Sequence, residues 1–418
     1  MQTLHQAYRL LIVSPIPVSL VNGHFQSLDL WVKDLASNLE YVSNIAILAP
    51  RAIQSIESSK PIPSNIKVIF QDQVSSDFDF TNLISQYDVV TVGVGGPAWR
   101  MKTALRAASA TKQANRFLIT SITSDRVKTT LMNSQGKSWL RKLKARLVAF
   151  SIKRTTMKLV NMADGLAVVG EGVHQAMQLA HLNIHPETAF WVYDDEIITQ
   201  VAFENVETAS WIHADEIISD IAFEEKIAKI TLPRAIIATR LEPMKGVHLA
   251  IEALEHIKKL AKTLPSLTMP TLSILGKGPA FDDLNAMVQA NQLQNVVSFD
   301  GVRTYPDEFF AELRNFELVL LTNLNEEQPR LIFDAISQGL IPICPDSAAY
   351  QHLKLPAEIL YKKGDARSLA LMWLAFCDAA VVKKMLRQLR PMAFQYTINA
   401  MHQKRAQWIA ELLATTHT

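Results

Sequence analysis

Four short stretches in the second half of the chain carry residue types suited to a phosphorylated ligand. The first is Ala238-Thr-Arg240-Leu-Glu-Pro-Met-Lys245-Gly246, which places a cation at each end of a strand-to-helix loop. Arginine can hold two phosphate oxygens, lysine is a point charge, and the following helix adds the positive end of its dipole, so the loop suits a diphosphate. Two solvated surface cations would give the same pattern. The second stretch is Glu326-Glu-Gln-Pro-Arg330-Leu331-Ile-Phe-Asp334. Acids eight residues apart can share a site if the first sits in a loop and the second lies about one turn into a helix; the plainer role for Glu326 and Glu327 is to complement the helix dipole, worth about 0.3 to 1 kcal/mol. The remaining two are Leu275-Gly276-Lys-Gly278-Pro279 and Asp300-Gly301-Val302, each read as a turn at the end of a strand.

The elements that must position these residues follow from periodicity. Short β-branched runs alternate with amphipathic stretches, the pattern of βα units in a mostly parallel sheet. One series of strands is expected at 8–14, 44–49, 65–70, 88–94, 116–122 and 165–170, with helices such as Leu28–Leu39 and Gly172–Leu182 between them. A second series runs from Arg234 through Leu272–Leu275, Val296–Phe299, Leu318–Leu321, Ile341–Cys344 and Glu358–Tyr361. Val247–Leu260 reads as a helix with Val247, Ala250, Ile251, Leu254, Ile257 and Leu260 on one face. Pro391 is expected to end a helical region, with a further amphipathic helix over Ala393–Leu413. The fold class is therefore α/β, with two Rossmann-like lobes and a ligand site in a cleft at the carboxyl ends of their strands.

At 418 residues the chain exceeds a single ordinary core. The expected division is 1–190 as an N-terminal lobe, 191–230 as an acidic connector and 231–392 as a C-terminal lobe. The connector holds a tandem repeat, Trp191–Glu204 followed by Trp211–Glu224, and residues 191–225 contain ten acids and no Lys or Arg. A duplication that decorates the interdomain connection explains it best, since two copies are too few for a solenoid. A net charge of +2 with 49% hydrophobic residues excludes a disordered chain and a nucleic-acid-coating protein. Two cysteines, Cys344 and Cys377, build neither a disulfide framework nor a multi-cysteine zinc site, and a reducing cytosolic compartment fits. The N-terminal apolar burst is too short for a secretory signal.

The joint order of the four stretches resembles the donor-binding half of family 4 glycosyltransferases of the GT-B fold: an Arg-Leu-x-x-x-Lys-Gly loop, a Gly-x-Gly-Pro turn, a strand ending near glycine, then an acid, seven residues and a second acid. The resemblance covers about Ala235 to Asp365, including Tyr361-Lys-Lys-Gly364-Asp365, and extends thinly to Ala163–Glu171. It implies two Rossmann-like lobes facing a cleft, a C-terminal helix (about 393–418) crossing back to the first lobe, and transfer of a sugar from a nucleotide-diphosphate donor, usually with retention and without a metal or other cofactor. By position, Arg240 and Lys245 would hold the donor diphosphate, Glu326 would touch the transferred sugar, and Asp334 would bind the ribose. The backbone near Val302 would meet the base, with Gly276, Gly278, Arg330 and Leu331 completing the donor site. A glycan or lipid-linked acceptor would be the second substrate.

This chain departs from that pattern in several places. The second acid is Asp334 rather than Glu, Thr239 replaces a glycine before the loop arginine, and Gln328-Pro329-Arg330 replaces a glycine-rich run, where Pro329 has no N–H to offer a phosphate. On the acceptor side, Thr123-Ser124-Asp125 stands where a histidine often occurs, and the glycine-rich loop shrinks to Asn22-Gly23-His24. No general base is obvious, which favours a retaining front-face displacement over inversion. Gly93-Val-Gly95-Gly96-Pro97 lacks the third glycine of a dinucleotide fingerprint and reads as room for close approach at the cleft. Two other readings stay open: a catalytically silent nucleotide-sugar-binding protein, and a sugar-nucleotide 2-epimerase of the same fold.

One segment stands apart from these motifs. From Arg126 to Met162 there are ten Lys or Arg and no acid. Trp139, Leu140, Leu143, Leu147 and Phe150 form one helical stripe, with Arg141, Lys142, Lys144 and Arg146 alongside. Such a helix either lies on an anionic membrane surface, at the cytoplasmic face, or packs its stripe on the sheet and solvates its charges.

Overall fold

A computed structural model describes residues 8–42, 44–54, 56, 59–74, 76–136, 138–170, 172–173, 204–207, 210–264 and 267–414. It contains two compact units: one comprises Met1–Trp211 with Ile398–Thr418, the other Ile212–Thr397.

The first unit is built on a seven-stranded parallel sheet of β1 (Arg9–Val13), β4 (Asn44–Ala49), β6 (Lys67–Phe70), β7 (Val89–Val94), β8 (Phe117–Ile122), β9 (Gly165–Val169) and β10 (Glu204–Glu207), in the order β10-β9-β8-β7-β1-β4-β6. The central strands are continuous apolar runs because both faces are covered; Ile45 through Ala49 are all buried. Its helices include α1 (Asp29–Asn38), α2 (Asp77–Ser85), α3 (Lys102–Gln113), α4 (Arg126–Met132) and α5 (Trp139–Met162). Side-chain caps start two of them: Ser76 and Asp79 satisfy each other's backbone N–H groups at α2, and Asp125 accepts from the Lys128 N–H at α4. A small antiparallel sheet of β2 (Ser19–Val21), β3 (His24–Leu28) and β5 (Ser59–Pro61) was not foreseen from the sequence.

The second unit repeats the doubly wound plan with β11 (Ala235–Ala238), β12 (Leu272–Leu275), β13 (Val297–Gly301), β14 (Leu318–Leu320), β15 (Ile341–Asp346) and β16 (Leu360–Lys362), all parallel in the order β13-β12-β11-β14-β15-β16. Its helices are α6 (Asp220–Lys229), α7 (Val247–Ala261), α8 (Phe281–Ala290), α9 (Asp307–Leu313), α10 (Leu331–Ser337), α11 (Ala348–Gln351), α12 (Ala366–Ala375) and α13 (Ala379–Gln395). The chain reverses its winding between β11 and β14, and in open α/β sheets ligands bind where that reversal occurs. In α7 the buried stripe runs from Val247 to Ile257; Leu260, expected on the same face, is exposed.

Three expectations about connections change. The chain crosses from the first unit to the second between Trp211 and Ile212, and residues 212–230 are built into the second unit: Ser219 caps α6, and Phe223, Ile227 and Ile230 enter its core. The second repeat copy is therefore structural, while the first copy over 191–203, with Glu171 and most of the expected Gly172–Leu182 helix, lies outside the described residues. Pro391 does not end its helix. α13 continues to Gln395 because Leu389 and Ala393 bury on either side of the proline, which offsets the one backbone bond it removes. The last helix, α14 (Ile398–Ala414), then joins the first unit and buries Trp408, Ile409 and Leu412 there, the return expected of a C-terminal crossing helix. His402, itself buried, lies 3.0 Å from Asp34 of α1 and Arg405 lies 3.7 Å from the same carboxylate.

Candidate donor site

The loop after β11 and the loop after β14 flank the winding reversal and are tied to each other. The Thr322 hydroxyl donates to the Lys245 carbonyl at 2.7 Å, and the Leu324 N–H donates to the Met244 carbonyl at 2.9 Å. Each such bond is worth about 1 kcal/mol net, and together they hold the acid-bearing loop in register with the cationic one. Gly246 has φ +65° and caps α7, and a Cβ there would collide with the Thr322 carbonyl. Gly276 has φ +145°, and a Cβ would strike the Thr239 carbonyl; a Cβ on Gly278 would strike the Leu241 backbone. These glycines let three loops meet backbone to backbone, and the Leu241 N–H donates to the Lys277 carbonyl at 3.1 Å.

Arg240 projects outward: its side chain is 80% exposed and its nearest acid is Glu242 at 3.6 Å. Lys245 lies 3.7 Å from Glu327 and stands at the start of α7, so a cation and a helix N-terminus share one spot. Glu326 accepts an ion pair from Lys363, whose ammonium also donates to the Asn325 carbonyl at 3.2 Å. Lys363 is aimed by its own turn: Gly364 is left-handed, Asp365 caps α12 through the Arg367 and Ser368 N–H groups, and the Tyr361 hydroxyl donates to the Leu321 carbonyl at 3.0 Å. Two carboxylate–ammonium pairs thus meet at the loop after β14, Lys245 with Glu327 and Lys363 with Glu326.

Asp334 sits one turn into α10, as the eight-residue spacing requires, but it is buried to 1% exposure. Arg330 lies 3.3 Å from one of its oxygens and the Tyr305 hydroxyl donates to the other at 3.5 Å, while the Arg330 guanidinium stacks over the Tyr305 ring. Burial, and next the nearby Asp334 charge, push the Tyr305 phenol well above its ordinary range, so it remains a neutral donor. Leu331 is buried at the start of α10, and Val302 is 59% exposed at the end of β13.

Lys363 and Tyr305 were missed by sequence reasoning, and Glu327 was read only as a complement to the helix dipole. Tyr361-Lys-Lys-Gly-Asp was noted only as a family feature, and no local pattern links Lys363 to Glu326 or Tyr305 to Asp334.

In the first unit the remaining site residues cluster on the carboxyl side of the sheet. Asn22 and Gly23, both with positive φ, form the tip of the β2–β3 hairpin, and His24 is exposed beside them. Gly95 follows β7 with Arg126 against it, and the Ser124 carbonyl accepts from the Arg126 N–H at 3.0 Å after β8. Trp139, Arg141, Lys142, Lys144 and Arg146 lie on the exposed half of α5.

Residues 220–372 match the model of the family described as Glycosyl transferases group 1. Among solved structures, HepE of Anabaena in complex with UDP superposes with TM-score 0.63 at 15% identity, over 96% of this chain and 100% of that one. The sucrose-phosphate synthase of Thermosynechococcus elongatus does so with TM-score 0.60 at 11% identity over 98% and 100%, and WaaG, a glycosyltransferase involved in lipopolysaccharide biosynthesis, with 0.59 at 13% over 95% and 98%. No curated protein matches the chain by sequence. The two doubly wound units have the GT-B architecture, and the chain is a glycosyltransferase. The matched span lies within the second unit and contains every residue placed above in the donor site.

Proposed function

We propose that the enzyme moves a sugar from a nucleotide-diphosphate donor to a glycan or lipid-linked acceptor with retention of configuration, the donor lying in the second unit. One observation carries this reading: an outward Arg240, a Lys245 at a helix N-terminus and the Glu326 loop are clasped together by short hydrogen bonds at the winding reversal. In the transfer the anomeric carbon–oxygen bond to the diphosphate breaks and a bond to the acceptor hydroxyl forms on the same face. The acceptor proton passes to the departing phosphate oxygen, so no protein base is required. Negative charge grows on the leaving diphosphate, and preorganised Arg240, Lys245 and the start of α7 meet it without reorganisation. Those cations take the part a metal ion would play, and in this reading none is essential.

Glu326, held by Lys363, would face the transferred sugar, with Gly276, Gly278, Leu331 and Val302 shaping the rest of the donor pocket. Gly23, His24, Gly95 and Ser124 would border the acceptor. The enzyme would work in the cytoplasm, at the inner face of the membrane.

One observation favours a second reading, a protein that binds nucleotide sugars without turnover. Asp334, assigned to the ribose, is already occupied by Arg330 and Tyr305. Incubation with UDP-glucose, GDP-mannose and ADP-glucose, followed by NMR of any product, tests the proposal. Transfer or donor hydrolysis with an anomer matching the donor, persisting with EDTA, supports it. Binding without turnover selects the second reading, an inverted product overturns retention, and loss of turnover with EDTA overturns the metal-free reading.

A further inference from the structure

α5 divides into two halves with different surroundings. Its C-terminal half buries Ile152, Thr156, Leu159 and Val160 in the first unit, and Ser151 accepts from the Ala98 N–H at 3.1 Å. Its N-terminal half is uncovered: Trp139, Leu140, Leu143, Leu147 and Phe150 are 71%, 60%, 48%, 64% and 51% exposed. At about 100° per residue these five fall within an arc of roughly 100°, on the side away from Ile152, Thr156 and Leu159, while Met157, further along the stripe's own side, is buried. The helix therefore meets its packing needs elsewhere, and the stripe is surplus to the fold. Trp99, 57% exposed on a turn that packs against α5, adds a further aromatic. Lys144 and Arg146 border the two edges of the stripe, Lys142 is exposed beyond the Arg146 edge, Arg141 is exposed on the opposite face of the same turn, and the whole 126–162 segment contains no acid. No helix among the described residues is long and apolar enough to cross a membrane.

We infer that the exposed half of α5 is a docking face for an anionic phospholipid bilayer, its apolar stripe entering the headgroup boundary and its cations binding lipid phosphates. Charge selects this occupant. A second copy would bring two uniformly cationic faces together, and a nucleic acid would leave the apolar side chains in water, whereas an anionic bilayer satisfies both features. The inference requires no turnover and stands whether or not the donor reading does.

Flotation of the full chain with phosphatidylglycerol/phosphatidylcholine vesicles tests it, with phosphatidylcholine vesicles as control. The protein floats with the anionic vesicles at about 0.1 M salt, and its tryptophan emission shifts to the blue. Both effects decline toward 1 M salt, where the screening length falls from about 10 Å to about 3 Å. The Leu143→Glu/Leu147→Glu variant stays unbound, and Lys142→Ala/Lys144→Ala binds roughly thirtyfold more weakly, each with the wild-type melting temperature. Because both pairs are exposed, neither variant threatens folding. Absence of flotation on anionic vesicles at low salt overturns the proposal, as does undiminished flotation of the Leu143→Glu/Leu147→Glu variant. A dimer that this variant abolishes, in a protein that ignores vesicles, would assign the face to a second copy instead.

Discussion

The two units share a doubly wound strand order but equip the ends of their strands differently. In the second unit, loops after β11, β14 and β16 converge on charged side chains, Arg240, Lys245, Glu327, Glu326 and Lys363, cross-braced by hydrogen bonds. In the first unit the corresponding edge carries small residues, Gly95 and Ser124, a hairpin tip, and the cations Arg126 and Arg51, the latter 3.3 Å from Asp72. On the proposed function, one fold serves two tasks: a charged ligand of fixed chemistry demands a preorganised polar site, and an acceptor side demands room. The first unit invests its charges elsewhere, on α5 and on the α1–α14 junction.

The largest effect expected of a single change falls on that junction. Asp34→Ala leaves buried His402 without its carboxylate and should lower the stability of the first unit by about 3 kcal/mol. Calorimetric scanning should show that unit's transition moving down while nucleotide binding in the second unit persists; equal loss in both would erase the division of labour. Next comes Arg240→Ala, which removes a charge-assisted contact and should weaken nucleoside-diphosphate binding by about 2 kcal/mol with an unchanged melting temperature. Lys363→Met sharpens the contrast within the second unit. Nucleotide affinity should hold while turnover falls about tenfold, a loss of roughly 1.4 kcal/mol in transition-state stabilisation; a parallel fall in nucleotide affinity would make Lys363 a phosphate ligand instead.

The smallest effect is a pH dependence. Burial acts to raise the Asp34 carboxyl, but His402 and then Arg405 more than reverse it, leaving the group below its ordinary value. A depressed folded value means that this stabilisation is complete above the unfolded value of about 4 and is lost as pH falls through the folded one. Acid melting of the first unit should therefore be steeper in the wild type than in Asp34→Asn, and identical slopes would remove the ion pair from the account.

What could be read from the sequence depended on how local the cause was. The strands of both large sheets emerged from apolar runs except β10, whose Glu204-Asn-Val-Glu207 is not one, and the Arg240–Gly246 loop emerged from the spacing of its cations. The partners that complete the site did not, because Lys363 lies 37 residues from Glu326 and Tyr305 lies 29 from Asp334, and only the sheet order brings them together. The β2–β3 hairpin had a usable signal in Asn22-Gly23, whose positive φ angles suit a tight hairpin turn, but its strands are too short to show alternation. Pro391 misled because burial on both sides of a proline outweighs the one bond it costs. The stripe on α5 was visible in sequence, but whether the sheet covered it was a tertiary question.

The central claim is that the second unit's cationic loop holds a nucleoside diphosphate. Calorimetric titration of the purified protein with UDP, GDP and ADP, with Arg240→Ala and Lys245→Ala alongside, tests it most directly. The account predicts that one nucleotide binds and that each variant loses most of that affinity without losing its fold. Binding that survives both substitutions, or no binding of any of the three, would contradict it.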